Sequence, residues 1–288
     1  MKLATLLVPL LLASTGIAAP TLSGEERLAR RIQGRKDRRG NGGSQFPIPA
    51  VLSETNGLEA GEAGNHTLYY TNWAGGIIQA PPSGTNFFAI AGSFVVPLPA
   101  PPVAGAGTWW GSAWVGIDDS DAILQSGVDY GVTVSSTGAY SYQYYAWWEW
   151  YPNGSTDYDL VVNAGDQITV LCDAGSTSAA NCATTNQNTG VSVTTSLTAP
   201  GTAMLQGTNA VWIVEDFASG GLVPFANFGT ITFTDCIAVA GVNSTNGQNV
   251  YPNSGTAVAA DIVAANGAVI TAVTFPMDTT NVVEVTYI

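Results

Sequence analysis

The sequence predicts an all-β domain built as an antiparallel sandwich of two sheets. Apolar residues alternate with polar ones, as in Thr230-Ile231-Thr232-Phe233-Thr234, and a period of two residues is typical of half-buried strands. The 33 Gly and 15 Pro interrupt the chain too often for long helices, and no stretch of helical length has an apolar period of 3.6 residues. The part with this pattern, about 220 residues, has the normal size of a single sandwich.

Eight segments have the alternation expected of strands. In chain order they are 114–118, 123–129, 144–151, 168–171, 191–194, 211–217, 230–234 and 282–286. Residues 97–111, rich in proline and glycine, are predicted to form a loop.

Alternation also sorts the side chains of three strands by face. On each strand one face is apolar and the other is polar or aromatic. The polar or aromatic face contains Trp114 and Asp118 on the first strand, Gln125 and Asp129 on the second, and Tyr145, Trp147, Glu149 and Tyr151 on the third. Three such strands predict an open cleft on one side of the sandwich.

Charge divides the chain in two. Residues 1–39 hold all 8 Lys and Arg against three acids and carry +5, whereas residues 40–288 hold 18 acids and no Lys or Arg and carry −18. The body therefore lacks the basic contacts that dominate nucleic-acid affinity, and we expect no nucleic-acid or membrane partner. In acid, protonation of the carboxylates brings the net charge of the body from −18 towards zero and builds up little positive charge. This indicates adaptation to an acidic medium.

The first residues have the layout of an export signal. A short apolar run follows Lys2 and ends in small residues, so we predict a signal peptide over 1–19 and a secreted, extracellular protein. The basic segment 20–60 is interpreted as a propeptide that inhibits the body, 61–288, rather than as a solvated basic tail. We expect charge to hold the two parts together near neutral pH and to release them below about pH 4. Three sequons agree with export and predict glycosylation at Asn65, Asn153 and Asn243.

Cysteine and histidine chemistry is limited. Cys172 and Cys182 flank a turn and are predicted to form a disulfide in an oxidising compartment, which leaves Cys236 unpaired. The single histidine, His66, lies in a sequon and is interpreted as a solvated loop residue. This interpretation excludes Ser-His dyads, Cys-His dyads and multi-histidine zinc sites.

The strand 211–217 is apolar and ends in two acids, Glu215 and Asp216. A carboxylate at the end of an apolar strand is either exposed to solvent there or buried because it has a functional role. Alternation groups Glu215 with Ile213 and Asp216 with Val214, but it does not decide which acid faces the cleft.

Six segments together resemble the eqolisins, the secreted glutamic endopeptidases. In order they are 72–76 (NWAGG), 113–118 (AWVGID), 122–129 (AILQSGVD), 146–152 (AWWEWYP), 213–217 (IVEDF) and 223–226 (VPFA), the last leading to 233–236 (FTDC). Each segment alone is a weak motif, but six in the family's order are specific.

The resemblance implies a jelly-roll sandwich, similar to concanavalin A-like lectins, that cleaves protein or peptide substrates in acid without a metal or other cofactor. The family's catalytic residues fall on Gln125 and Glu215, and its cleft positions fall on Trp73, Trp114, Asp118, Trp147, Glu149 and Phe217. We expect a monomer inhibited by its own propeptide. Two departures stand out: Tyr145 replaces a common aspartate, and the turn between Asp118 and Ala122 is short and lacks the relatives' cysteine.

Two rival functions use the same sandwich. A jelly-roll glycoside hydrolase would pair Glu215 with Glu149 or with Asp118, but it leaves Gln125 without a role. A lectin-like carbohydrate-binding module explains the aromatic residues but not the basic segment. A pepsin-like enzyme needs two Asp-Thr/Ser-Gly loops, and the sequence has none.

Overall fold

A computed structural model describes residues 47–50, 67–218, 222–242, 246–253 and 255–288. The predicted signal peptide, most of the predicted propeptide, Asn65, His66 and Asn243 lie outside these residues. All regular elements in the described ranges are strands, and no helix there is long and apolar enough to cross a membrane.

Sixteen strands follow one another along the described chain. They are β1 (Thr67–Tyr70), β2 (Trp73–Ile78), β3 (Asn86–Val95), β4 (Gly107–Ile117), β5 (Ile123–Val134), β6 (Tyr140–Tyr151), β7 (Thr156–Asp157), β8 (Gln167–Ser176), β9 (Ala179–Asn186), β10 (Val191–Thr198), β11 (Ala210–Glu215), β12 (Thr230–Gly241), β13 (Gln248–Val250), β14 (Ala257–Ile262), β15 (Thr271–Thr274) and β16 (Val283–Tyr287).

The strands form two sheets. The first has the order β1-β14-β2-β11-β4-β5-β6-β7, and the second has the order β10-β9-β8-β3-β12-β16-β15 with β13 also paired to β12. Neighbouring strands are antiparallel, except that β1 runs parallel to β14. The predicted all-β sandwich is confirmed, and every predicted strand segment overlaps an observed strand.

The main core lies between the sheets. Val115, Leu124 and Trp212 of the first sheet meet Ile90 and Phe233 of the second in one buried cluster. The sheets approach closely at Gly92, where a Cβ atom would lie 2.9 Å from the Trp212 ring. The Trp212 indole donates to the Ala91 carbonyl at 2.9 Å, so its polar atom is satisfied inside the core.

The predicted loop over 97–111 is too long. Strand β4 begins at Gly107, because residues 107–111 pair with Tyr130–Val134 of β5. Cross-strand pairing therefore overrides the glycine content at the end of this segment.

The predicted disulfide is confirmed. Cys172 on β8 lies directly opposite Cys182 on β9, and the two sulfurs are bonded. Cys236 is a free, buried thiol, and burial raises its pKa.

Candidate active site

The first sheet has a second side-chain cluster on the face turned away from the other sheet, here called the outer face. Trp73, Trp114, Trp147 and Ile213 belong to this cluster, whereas their sequence neighbours Ala74, Val115, Ala146 and Val214 belong to the main core. The predicted sorting of residues by face is correct for Trp114, Trp147 and Ile213 on β4, β6 and β11, whereas none was predicted for β2.

Cross-strand register arranges the outer face in three parallel rows. The Glu215 row is Trp73, Glu215, Ser112, Asp129 and Tyr145; the Trp114 row is Gly75, Ile213, Trp114, Gly127 and Trp147; the Gln125 row is Ile77, Val211, Gly116, Gln125 and Glu149. Side chains directly opposite one another on neighbouring strands have Cβ atoms about 5 Å apart. The three rows thus contain six of the predicted cleft or catalytic residues. They are Trp73 on β2, Trp114 on β4, Gln125 on β5, Trp147 and Glu149 on β6, and Glu215 on β11.

Glu215 is held on the outer face by Trp114. Its Oε2 atom accepts a hydrogen bond from Trp114 Nε1 at 2.9 Å, and both side chains are fully buried. Trp73, opposite Glu215 on β2, packs its ring edge-on against Trp114 at 4.9 Å between centroids. A hydrogen bond donated to a buried carboxylate favours its ionised form, so Trp114 supports an anionic Glu215.

Asp216 points the other way, into the region between the sheets. Burial, with a smaller contribution from the charge of Glu215, raises the pKa of Asp216 to about 8. Asp216 in turn adds to the effect of burial in raising the pKa of Tyr130 and of Tyr287, both of which lie at the main core. The ambiguity between the two acids is resolved: Glu215 faces the predicted cleft and Asp216 does not.

Gln125 lies two rows away from Glu215, with the Trp114 row between them. It is fully buried, and neither its amide nitrogen nor its amide oxygen has a hydrogen-bond partner among the described residues. A Cβ atom on Gly116 would lie 3.0 Å from the Trp114 ring and 3.1 Å from the Gln125 Cβ atom. The Trp114 indole therefore donates to Glu215 through its nitrogen, and both its six-membered ring and the Gln125 Cβ atom border the space over Gly116.

Three more predicted residues lie near Gln125 or Glu215. Glu149 is directly opposite Gln125, Trp147 is one row away, and both are fully buried on the outer face. Phe217 is also fully buried and lies two positions after Glu215, the last residue of β11.

Asp118 is bound differently from the other predicted cleft residues. It has a positive φ of 67° and is 1 % exposed. Its carboxylate accepts backbone N–H bonds from Gln206, Gly207 and Thr208 at 2.6, 3.1 and 2.7 Å, and a hydroxyl bond from Thr208 at 3.2 Å. These contacts hold the segment that leads into β11.

Sequence reasoning placed Asp129 and Tyr145 on this face but missed their partners Ser112 and Trp110. Ser112, opposite Glu215, donates to Asp129 Oδ1 at 2.7 Å, and both residues are fully buried. Farther along, Trp110 packs against Tyr145 with 6.2 Å between ring centroids. Strand alternation contained a signal for all four, because they share a face with Gln125 or Trp114, but their proximity depends on register.

Within the described ranges, no group of three or more His, Cys, Asp or Glu side chains is arranged to hold a metal ion. The polar groups that the rows bring together are carboxyls, an amide, two hydroxyls and indole N–H groups. This set can transfer protons and stabilise charge by hydrogen bonding.

Comparison with known proteins identifies the class to which this fold and site belong. Residues 71–287 match the model of the Peptidase A4 family. Aspergillopepsin-2 of Aspergillus niger is 32% identical over 309 residues, covering 100% of both chains, and scytalidopepsin B of Scytalidium lignicola is 33% identical over 245 residues, covering 81% of this chain and 82% of its own. A crystal structure of scytalido-glutamic peptidase with a peptide-based transition-state analogue superposes with a TM-score of 0.60 at 29% identity, covering 76% of this chain and 98% of that one.

The class is that of the glutamic peptidases, enzymes that hydrolyse peptide bonds. The chain belongs to the Peptidase A4 family, the eqolisins. The resemblance in the six sequence segments is thereby confirmed, and an enzyme acting on peptides replaces the rival glycoside hydrolase and lectin-like module.

Proposed function

We propose that the protein is a secreted acid endopeptidase in which Glu215 and Gln125 act on the peptide bond. The observation that carries this proposal is that the outer face holds both a buried, indole-bound carboxylate and, two rows away, a buried amide whose two polar atoms have no partner among the described residues. A buried amide without hydrogen-bond partners lowers the stability of the fold. Such a cost is expected where the amide serves to bind a ligand.

In the proposed reaction, ionised Glu215 removes a proton from the attacking water as the water adds to the peptide carbonyl. The Gln125 NH2 group donates to the oxyanion that develops on that carbonyl, while its own oxygen orients the water. The protonated Glu215 then gives its proton to the leaving nitrogen, and the peptide bond breaks. Glu215 ends the cycle ionised, ready for the next water.

The neighbourhood of Glu215 suits work in acid. Below its raised pKa of about 8, Asp216 is protonated and places no second negative charge next to Glu215. The body also has no Lys or Arg whose charge would remain unopposed as carboxylates protonate.

The substrate would lie along the outer face, with Trp73, Trp147, Glu149 and Phe217 as binding residues and Trp114 between the two catalytic groups. Trp73 Nε1 is buried without a hydrogen-bond partner among the described residues, which makes it a donor for a peptide carbonyl. The carboxylate of Asp118 already accepts four bonds, so we propose that it contributes to binding by holding residues 206–208 in place.

The remaining parts of the proposal concern export and maturation of the protein. A signal peptide over 1–19 directs export, the basic segment 20–60 inhibits the acidic body until it is removed, and the mature enzyme acts as a monomer outside the cell. Of the three sequons, Asn153 lies on an exposed turn after β6, accessible to a glycan.

Two substitutions test the catalytic pair. We expect Glu215→Gln to lower kcat/KM on denatured protein in acid by about 1000-fold or more, and Gln125→Ala by about 100-fold or more, because each removes a group needed only in the transition state. Neither variant should process its own N-terminal segment, and both should keep the near-UV circular dichroism of the parent.

Matched controls are available elsewhere in the sandwich. Glu284→Gln on β16 and Gln248→Ala on β13 make the same chemical changes away from the outer face and should retain activity. An active, self-processing Glu215→Gln chain would refute the assignment. Parallel assays on β-glucans, and with pepstatin or chelators added, separate this proposal from a glycoside hydrolase, a pepsin-like enzyme and a metallopeptidase.

A further inference from the structure

The free edge of the first sheet is occupied by a short piece of the N-terminal segment. Strand β1 is the last strand of this sheet, and among the described residues its only strand partner is β14. On its other side, residues 47–50 lie antiparallel to the chain around Tyr70, with a bridge between Pro49 and Tyr70. This piece falls within the segment 20–60 that we propose to be removed on maturation.

Main-chain hydrogen bonds make the contact. Ala50 N donates to the Tyr69 carbonyl at 2.9 Å, and Thr71 N donates to the Ile48 carbonyl at 2.8 Å. Ile48 N donates to Asn72 Oδ1, also at 2.8 Å. The side chains of Ile48 and Pro49 are exposed, so the backbone accounts for most of this attachment.

The sequence Pro47-Ile48-Pro49-Ala50 suits an added edge strand. Alternate residues of a strand direct their N–H and C=O groups to opposite sides, and Ile48 and Ala50 direct theirs to β1. Pro47 and Pro49, which have no N–H, occupy the positions directed away from β1. The segment can therefore pair with β1 but offers no N–H at these two positions to a further strand.

The contact ends next to the Glu215 row. Asn72, which receives the Ile48 bond, is fully buried and immediately precedes Trp73. Its carbonyl accepts the N–H of Asp216 at 2.9 Å, so one residue links the N-terminal segment to the chain at Glu215. Arg39, the last Lys or Arg residue, is eight positions before Pro47 in the sequence.

We propose that Pro47-Ile48-Pro49-Ala50 is an anchor that holds the inhibitory segment to the body by strand addition to β1, independently of charge. The inference rests on the proposed function, because the segment needs holding only if it inhibits a peptidase. The pairing uses no ionised group, so the anchor persists in acid and at high salt, where attraction between the basic segment and the acidic body fades. Cleavage within residues 51–66 then leaves the N-terminal piece bound beside Glu215.

Hydrogen exchange on the full chain tests the anchor. In a Glu215→Gln background in acid and 1 M NaCl, fragments containing Thr71 should exchange at least tenfold more slowly than in the same chain carrying Ile48→Pro, which removes a bonded N–H. The matched control, Pro49→Ala, adds an N–H directed away from β1 and should leave exchange within twofold of the parent.

Loss of Thr71 protection by salt alone, or equal exchange in the parent and Ile48→Pro chains, would overturn the anchor. Because exchange does not depend on catalysis, this result stands apart from the proposed function, which fails separately if no peptide is cleaved. In the chain with Glu215 intact, Ile48→Pro should shorten the half-life of self-processing in acid at least threefold relative to Pro49→Ala. An unchanged half-life with lost protection would overturn the regulatory role.

Discussion

At the scale of single residues, Trp114 connects the two groups proposed to act on the peptide bond. Its nitrogen donates to Glu215 Oε2 at 2.9 Å, and its six-membered ring lies over Gly116, the residue directly opposite Gln125. The ring has room because neighbouring positions lack side chains: a Cβ on Gly127 would lie 2.4 Å from the Trp114 Cβ. One indole thus donates a hydrogen bond to the carboxylate and fills the space over Gly116, from which the Gln125 side chain is not far.

We expect Trp114→Phe to move the acid limb of the kcat/KM profile to higher pH by about one unit. The substitution removes a donor that favours the ionised carboxylate, and a hydrogen bond to a charged group contributes about 1.5–3 kcal/mol. The measurement is kcat/KM against pH on one peptide substrate. Trp212→Phe is the matched control: it removes an indole bonded to a carbonyl in the main core, so it should lower the stability but leave the limb in place. Equal limbs in Trp114→Phe and the parent would show that this hydrogen bond does not set the protonation of Glu215.

At the scale of elements, the second sheet supports the site without reaching it. The hairpin of β8 and β9 is joined by the Cys172–Cys182 disulfide, and both cysteines belong to the main core. The proposed active site depends instead on β2, β11, β4, β5 and β6 of the first sheet. The disulfide therefore lies in the sheet that does not carry the proposed active site.

We expect the double variant Cys172→Ala/Cys182→Ala to lower Tm by about 5–10 °C while kcat/KM stays within twofold. A cross-link between residues ten positions apart restricts the unfolded chain by about 2–3 kcal/mol. Calorimetry in acid gives Tm, and reduction of the parent should reproduce the loss. Cys236→Ala also removes a buried sulfur but no cross-link, so an equal loss there would attribute the effect to packing.

At the scale of the whole molecule, buried carboxyls make the stability of the fold depend on pH. Burial is the main cause that raises the pKa of Asp216 to about 8, that of Asp261 to about 6, and that of Asp119 above its ordinary value. Folding favours the protonated form of each group. The stabilisation is complete below the ordinary pKa of 3.8 and is lost as pH rises through about 6 to 8.

We expect the free energy of unfolding to fall by several kcal/mol between pH 4 and pH 8. Asp216→Asn should recover much of this loss at pH 8 and change little at pH 4, because an amide needs no proton to remain neutral. Urea unfolding at both pH values measures the effect. Asp278→Asn, at an exposed position, should keep the parent's pH dependence. If Asp216→Asn also keeps it, Asp216 is not the group responsible.

Much of the fold and part of the candidate site were predictable from particular residues. The alternation in Ile123-Leu124-Gln125 places Leu124 in the core and Gln125 on the outer face, as the structure shows. The choice between Glu215 and Asp216 was not available from alternation. Neither was the meeting of Ser112 with Asp129, nor that of Asp118 with residues 206–208, almost ninety positions later.

By itself, the sequence determined that this chain is a β-sandwich whose polar and apolar residues occupy opposite faces, and that its body carries no Lys or Arg. These are local properties, because the pleat of a strand turns successive side chains to opposite sides wherever the strand lies. Only the tertiary structure decided that Glu215 meets Trp114, that Asp216 is buried behind it, and that residues 47–50 pair with β1. Register and desolvation depend on which strands become neighbours, and strands distant in sequence become neighbours only when the sheets assemble.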